Sequence, residues 1–149
     1  MIEIYCDGAT SNNGENNALG GFAFIIVHDG KEIYSYNEKL SSTTNNICEL
    51  KAIIEGCKYA EQFINDSYIV YSDSAYCINC YKNKWYKKWQ LNGWITSKKE
   101  PVKNRELWEQ IIPFFENPKF NFEKVKGHSS NFFNNKADKL AVLAKSNVY

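Results

Sequence analysis

Four acidic residues stand at the boundaries of predicted strands and helices: Asp7, Glu49, Asp73 and Asp138. If the strands that carry Asp7 and Asp73 are neighbours, both carboxylates emerge at one edge of the sheet, where open α/β sheets bind ligands. Carboxylates this close raise each other's pKa unless a cation neutralises them. Mg²⁺ prefers a few carboxylates, water and phosphate oxygens as ligands. The four residues together therefore predict a metal site that acts on phosphates, as in a metal-dependent nuclease.

Each of the four also has an ordinary structural explanation. Asp7 precedes a glycine, as in a turn, and Glu49 lies three residues after Asn46, which is the spacing of a capping box. Asp73 could cap the helix that follows it, and Asp138 could lie on a solvated helix face. Taken singly, these explanations are the better ones, so only the joint placement favours a catalytic site.

A basic segment, residues 82–103, could hold a polyanion beside that site. It contains seven lysines and one acidic residue, Glu100, whereas the rest of the chain has 11 basic and 16 acidic residues. It also contains three of the four tryptophans: Trp85, Trp89 and Trp94. Clustered lysines favour contact with a phosphate backbone. Trp85 and Trp89 lie four residues apart on one helical face, which predicts that they anchor the segment to the core.

Hydrophobic periodicity predicts the elements that would position these residues. Strands are predicted at residues 1–7, 22–28, 31–40, 68–72 and 119–126, with Asp29-Gly30 as a two-residue hairpin turn. Helices are predicted from residues 47, 74 and 134, and around Leu107 and Ile111. This order predicts an α/β fold with a mixed five-stranded sheet, in which three antiparallel strands are followed by parallel strands and helices flank the sheet.

Composition limits the class of protein. The 149 residues are 44% hydrophobic and 23% charged, which fits a single domain over residues 1–149 and excludes a disordered chain, a coiled coil and a polybasic tail protein. Five cysteines without regular spacing favour a reducing compartment, so we expect a cytoplasmic protein. Cys77 and Cys80 have a metal or redox spacing, but no second pair completes a zinc site. The longest apolar run, residues 22–27, is too short to span a bilayer, and the early first strand predicts that no signal peptide precedes the fold.

The motifs around these residues resemble those of the type 1 ribonuclease H family. The resemblance covers residues 4–144 and rests on segments that occur in the family's order: YCDGAT around Asp7, TTNNICEL around Glu49, YSDSAY around Asp73, WYKKWQLNGW, PVKNRELW, VKGH and NNKAD, which ends at Asp138. Each segment alone is weak evidence. Their order and spacing together are specific, and they imply the RNase H-like fold.

The resemblance implies endonucleolytic hydrolysis of the RNA strand of an RNA/DNA hybrid, which leaves 5′-phosphate and 3′-hydroxyl ends. It also implies that Asp7, Glu49, Asp73 and Asp138 bind two Mg²⁺ ions, which Mn²⁺ can replace, with Asp7 between them. One ion activates the attacking water and the other stabilises the leaving oxygen. By the same resemblance, His128 in VKGH assists proton transfer or product release from a mobile loop.

The resemblance also implies a set of substrate contacts. Residues 82–103 correspond to the family's handle, an extra helix and loop that grips the DNA strand. Thr44 resembles a residue that helps to hold a DNA phosphate, and groups that match the asparagines near Asp7 and Glu49 line the minor groove. The candidate substrate-binding residues are Thr44, Asn45, Asn46, Asn12 or Asn13, Trp85, Lys87, Lys88 and Asn134. The implied partner is an RNA/DNA hybrid; we expect a monomer, no membrane partner and no separate hybrid-binding domain.

Some residues depart from the family pattern. The loop after Asp7 lacks the usual Gly-Asn-Pro-Gly turn, so the choice between Asn12 and Asn13 stays open. Ala75 stands where many members carry a glutamine that touches the substrate, and Ser130 stands where a glycine is common. None of these positions is a predicted metal ligand.

Three other interpretations remain. Another nuclease of the same fold, of the integrase or resolvase type, would lack the handle-like segment and the VKGH loop. A non-catalytic hybrid-binding module would keep the platform without the chemistry, although all four carboxylates are present. A structural α/β domain would neither bind nor cleave nucleic acid.

Overall fold

A five-stranded mixed sheet forms the centre of the molecule. The computed structural model describes residues 1–11, 18–125 and 131–146. The strands are β1 (Ile2–Ser11), β2 (Leu19–His28), β3 (Lys31–Ser41), β4 (Tyr68–Ser72) and β5 (Phe120–Lys124). They lie in the order β3-β2-β1-β4-β5, with antiparallel pairing from β3 to β1 and parallel pairing from β1 to β5. The predicted fold class is confirmed.

Within the described ranges, five helices connect and cover the strands: α1 (Asn45–Ala60), α2 (Ala75–Asn83), α3 (Trp85–Asn92), α4 (Arg105–Phe115) and α5 (Phe132–Ser146). Helix α1 packs against β1 and β2 on one face of the sheet, and α4 contacts α1 and β5. Helix α5 packs against β1 and β2 on the other face, where Ala137 joins a smaller core cluster with Ile25 and Val27. Among the described residues, no helix combines the length and apolar character needed to cross a membrane.

The alternation of β1 sets which side chains face which helix. Ile2, Ile4 and Cys6 belong to the larger core cluster beneath α1, whereas Tyr5 belongs to the smaller cluster beneath α5. Since side chains alternate along a strand, Asp7 follows Tyr5 toward the α5 side. The alternation that builds the core therefore also sets the direction of the Asp7 side chain.

Several predicted boundaries shift by a few residues. Strands β1 and β2 are longer than predicted, because their antiparallel pairing continues to Ser11↔Leu19. Strand β5 is shorter than the predicted 119–126, and α5 begins at Phe132 rather than at residue 134. The hairpin at Asp29-Gly30 is confirmed, with positive φ angles of 50° and 82° as a tight two-residue turn requires.

Candidate active site

Parallel pairing of β1 and β4 places Asp7 beside Asp73. The register aligns Tyr5 with Tyr71, so Asp7 and Asp73 each lie two residues beyond the same aligned pair. Asp7 is inside β1 rather than in a turn. The helix after β4 is capped by Ser74, whose side chain accepts from the Cys77 N–H, so the cap interpretation of Asp73 is wrong. Both carboxylates are left available to a common site.

Glu49 reaches this site because α1 lies unusually close to β1. A Cβ on Gly8 would lie 2.7 Å from the Cys48 Cβ and 2.8 Å from the Glu49 backbone nitrogen, so this contact requires a glycine. The Gly8 N–H donates both to Asp7 Oδ1, at 2.9 Å, and to Glu49 Oε1. The capping-box interpretation of Glu49 is wrong, because Thr44 caps α1 and Glu49 turns toward the sheet.

The three carboxylates form one compact cluster. One oxygen from each of Asp7, Glu49 and Asp73 lies within 4.8 Å of the others. Asp7 and Glu49 are each 3% exposed, whereas Asp73 is half-buried at the wall of an open cavity of about 400 Å³. Asp138, an exposed residue of α5, lines the same cavity and interacts with the Asp7 carboxyl. The structure therefore brings all four predicted carboxylates to one cavity.

Burial and nearby negative charge make the carboxyl groups of Asp7 and Glu49 hard to ionise. Burial is the largest cause that raises the pKa of Asp7 to about 8, followed by the negative charge of Asp73 and the hydrogen bond with Asp138. Burial also raises the pKa of Glu49 well above its ordinary value, with further contributions from Asp7 and Asp73. Such a cluster favours a bound cation, because the cation stabilises the ionised form of every carboxylate at once.

An unpartnered oxygen shows where a cation fits. Glu49 Oε2 is buried and has no hydrogen-bond partner among the described residues. A buried carboxylate oxygen without a partner is costly, and a divalent cation bound between the carboxylates would supply that partner. All the donors are carboxylate oxygens, the ligands of hard cations such as Mg²⁺.

Comparison with known proteins identifies the family of this chain. The sequence model of the RNase H family matches residues 1–146. A protein named Ribonuclease H from Thermoanaerobacter sp. (strain X514) is 43% identical over 143 residues, which cover 95% of this chain and 87% of the relative. The chain belongs to the ribonuclease H family. Homologues in this family carry the same name at about 40% identity over most of the chain.

Two solved structures share the fold. The PFV RNase H domain superposes with a TM-score of 0.80 at 24% identity and covers 97% of this chain and 93% of its own. LC11-RNase H1, solved in complex with an RNA/DNA hybrid, superposes with a TM-score of 0.71 at 22% identity and covers 97% and 96% of the two chains. At these identities the superpositions show that the ribonuclease H architecture is shared.

The asparagines at the start of α1 lie at the mouth of the cavity. Asn45 and Asn46 are exposed and line it together with Ser74 and Ala75. Thr44 is also exposed, and its side chain accepts from the Ile47 N–H at 3.2 Å. Asn45 and Asn46 are therefore placed beside the carboxylates, and Thr44 precedes them at the N-terminus of α1, which favours an anion. Their roles stay predictions.

Helix α5 approaches the sheet closely enough to bring Asp138 to the site. A Cβ on Gly21 of β2 would lie 2.5 Å from the Ala141 carbonyl oxygen and 2.6 Å from the Lys145 nitrogen. Asn134, a predicted substrate contact, is 4% exposed, and its N–H donates to Asn131 Oδ1 at 2.9 Å. Asn134 therefore lies in the packed part of this helix, one turn before Asp138.

The handle segment forms a second cavity, away from the carboxylates. The cavity has a volume of about 480 Å³ and is lined by Trp85, Lys88, Trp89, Asn92, Ile95, Thr96 and Ser97. Lys87 is exposed on α3. The predicted anchoring of Trp85 and Trp89 is confirmed, since both pack against the main hydrophobic core. The ring centre of Trp89 lies 5.9 Å from that of Trp94 and 5.5 Å from that of the buried Trp108.

Some predicted residues lie outside the described ranges, and sequence reasoning missed one residue within them. The predicted residues outside the described ranges are Asn12, Asn13 and His128.

The residue that the sequence did not indicate is Tyr76, which lines the carboxylate cavity and also a neighbouring cavity of about 230 Å³ toward the handle. Its hydroxyl accepts from Asn104 Nδ2 and Trp108 Nε1, both at 3.2 Å. Its position three residues after Asp73 was the only available signal.

The cysteines take no part in the site. Cys77 and Cys80 are buried with free thiols, as are Cys6, Cys48 and Cys57. Burial raises the pKa of the Cys80 thiol to about 12 and also raises the pKa of the Cys77 thiol. Because only a thiolate binds metal or reacts readily, neither thiol of this pair is suited to a metal or redox role.

Proposed function

We propose that this chain is an endoribonuclease that hydrolyses the RNA strand of RNA/DNA hybrids at the carboxylate cluster. Family membership supports the reaction class. The observation that carries the proposal is the cluster itself, in which Asp7, Glu49 and Asp73 converge around a buried carboxylate oxygen that lacks a partner. The reaction adds water to the phosphorus and breaks its bond to the 3′ oxygen, which leaves 5′-phosphate and 3′-hydroxyl ends.

Two Mg²⁺ ions would be held by Asp7, Glu49, Asp73 and Asp138, with Mn²⁺ as a substitute. When bound, divalent cations supply Lewis-acid activation of water and stabilise the leaving oxygen. The chain's own contribution is to hold the ligands in place: the Gly8 N–H fixes Asp7 and Glu49 against each other. Burial of these two carboxylates excludes the water that would otherwise weaken their hold on a cation.

The surroundings of the cluster suit a hybrid duplex. Asn45 and Asn46 line the cavity mouth, and their amides can donate to and accept from ribose 2′-hydroxyls, which distinguish RNA from DNA. The handle would hold the DNA strand, with Lys87 and Lys88 on phosphates and the Trp85 ring against the strand. We expect little sequence preference, because the proposed contacts are to phosphates and 2′-hydroxyls rather than to base edges.

The remaining assignments belong to the proposal as well. His128 would assist proton transfer or product release, so His128→Ala should lower kcat by about 10²-fold with little change in KM. Asn12 or Asn13 would contact the substrate, and Asn134 would do so only through the 4% of its surface that is exposed. We further propose a cytoplasmic monomer, which analytical ultracentrifugation of the purified protein would test for its oligomeric state.

The test is cleavage of a labelled RNA strand hybridised to DNA, with Mg²⁺ or Mn²⁺. Single-stranded RNA, duplex RNA and duplex DNA serve as competing substrates, and Asp7→Asn serves as the inactive control. We expect cuts only in the RNA of the hybrid, and none with the variant. A hybrid that is bound but never cut would favour a non-catalytic binding module. Cleavage of duplex DNA would move the chain to the integrase or resolvase type.

A further inference from the structure

Ser72 places a hydroxyl where the fold calls for an apolar side chain. In β4 the buried residues alternate as Tyr68, Val70 and Ser72, and the first two belong to the main hydrophobic core. Ser72 is the last residue of the strand and is 1% exposed. Burying a hydroxyl is unfavourable unless it is hydrogen-bonded, so its bonding partner indicates what the serine does.

The Ser72 side chain organises the turn that carries Asp73. Its Oγ accepts from the Ser74 N–H at 3.1 Å, across the residue that supplies the carboxylate. The Ser72 carbonyl accepts from the Val125 N–H at 2.9 Å, and Ser74 Oγ accepts from the Cys77 N–H at 3.2 Å. Asp73 is therefore fixed on both sides, by the sheet before it and by the helix cap after it.

We propose that Ser72 is a positioning residue whose hydroxyl holds the turn after β4 so that the Asp73 carboxylate stays within the cluster formed with Asp7 and Glu49. The proposal rests on the metal site of the proposed function. Asp73 is half-buried at the cavity wall, so its position depends on the backbone of this turn. Without the Oγ acceptor the Ser74 N–H loses its partner, so the backbone around Asp73 is held by one contact fewer.

Three variants of Ser72 separate the hydroxyl from the space it fills. Ser72→Ala removes the acceptor, Ser72→Cys keeps the shape with a weak acceptor, and Ser72→Thr keeps the hydroxyl. Ser41→Ala is the matched control, because Ser41 is also the last residue of a strand but is exposed. NMR would measure hydrogen exchange of the Ser74 amide in the metal-free protein and then Mg²⁺ affinity from shifts of amides at the site.

We expect Ser72→Ala and Ser72→Cys to accelerate exchange of the Ser74 amide and to weaken Mg²⁺ binding by about tenfold, as loss of a group that orients a metal ligand typically does. Ser72→Thr and Ser41→Ala should match the wild type in both measurements. Wild-type Mg²⁺ affinity in the alanine and cysteine variants would overturn the proposal. The Mg²⁺ affinities test the role of Ser72 without any measurement of hybrid cleavage. Failure of this proposal is therefore distinguishable from failure of the proposed nuclease function.

Discussion

Replacing Asp7 with asparagine should stabilise the metal-free protein while it abolishes activity. The Asp7 carboxyl is buried beside Asp73 and Glu49, and its pKa is raised to about 8 from an ordinary 3.8. The unfolded chain ionises this group freely above pH 4, whereas the folded chain resists ionisation until about pH 8. Folding therefore becomes less favourable as the pH rises through that window. Asparagine has nearly the same shape and no charge to bury.

The size of the effect follows from the pKa. Between the two pKa values, Asp7 is ionised in the unfolded chain but not in the folded chain. The free energy of unfolding falls by about 1.4 kcal/mol for each pH unit of this interval, so the loss is roughly 4 kcal/mol at pH 7. Because Glu49 titrates with Asp7 and the folded site can relax, we expect the variant to regain about half of this, ~2 kcal/mol. For a chain of this length that corresponds to a rise in Tm of about 6 °C.

The assay is thermal unfolding of wild type and Asp7→Asn in EDTA at pH 5 and at pH 8. The measurement at pH 8 is repeated with about 10 mM Mg²⁺, an excess of the cation over a weak binding site. We expect the advantage of the variant to be larger at pH 8 than at pH 5. We expect Mg²⁺ to raise the Tm of the wild type more than that of the variant, because the variant has lost a ligand.

Two outcomes would refute this reasoning. If the variant is no more stable than wild type at pH 8 without metal, Asp7 is ionised in the folded protein at little cost. If the advantage is the same at both pH values, the gain comes from packing or hydrogen bonding rather than from the charge. Ser41→Ala, at an exposed position, serves as the reference for an electrostatically silent change.

Two further perturbations test the geometry and the handle. Gly8→Ala should destabilise the protein by about 1–3 kcal/mol and abolish cleavage, because the alanine Cβ would lie 2.7 Å from the Cys48 Cβ. Denaturant unfolding would measure the loss of stability and the hybrid assay the loss of cleavage. Unchanged activity would contradict the prediction. The double variant Lys87→Gln/Lys88→Gln should raise KM for the hybrid several-fold. The slope of log binding constant against log salt concentration should fall in magnitude by nearly two, because two fewer phosphates are neutralised. Lys31→Gln, at an exposed position on β3, should change neither quantity.

The sequence was sufficient for the fold class and for the expectation that the four carboxylates share one cavity, and the structure shows both. Alternation in β1 directs Asp7, and a parallel pairing of β1 with β4 brings Asp73 to the same edge of the sheet. The hairpin at Asp29-Gly30 is a short-range signal that tertiary contacts do not override. These features could be predicted because each depends on residues close in sequence or on the handedness of a crossover.

What the sequence could not provide is the spacing between elements. The need for glycine at position 8 arises from the approach of α1, 40 residues further on. The same approach makes Glu49 a buried member of the carboxylate cluster rather than a helix-capping residue. Likewise, Thr44 and Ser74 supply the caps that were assigned to other residues. Cap assignments failed because neighbouring side chains compete for the same N–H groups, and tertiary contacts decide between them.

Buried polarity locates this site independently of any motif. Among the described residues, the buried polar or charged side chains are Asp7, Thr43, Glu49, Ser72 and Asn134. Two of them are carboxylates of the cluster, Ser72 precedes Asp73, Asn134 lies one turn before Asp138, and Thr43 directly precedes the cap of α1. A fold that follows local rules elsewhere departs from them where function requires it. The apolar core therefore stabilises the molecule, while the cost of burying polar groups is concentrated around four carboxylates.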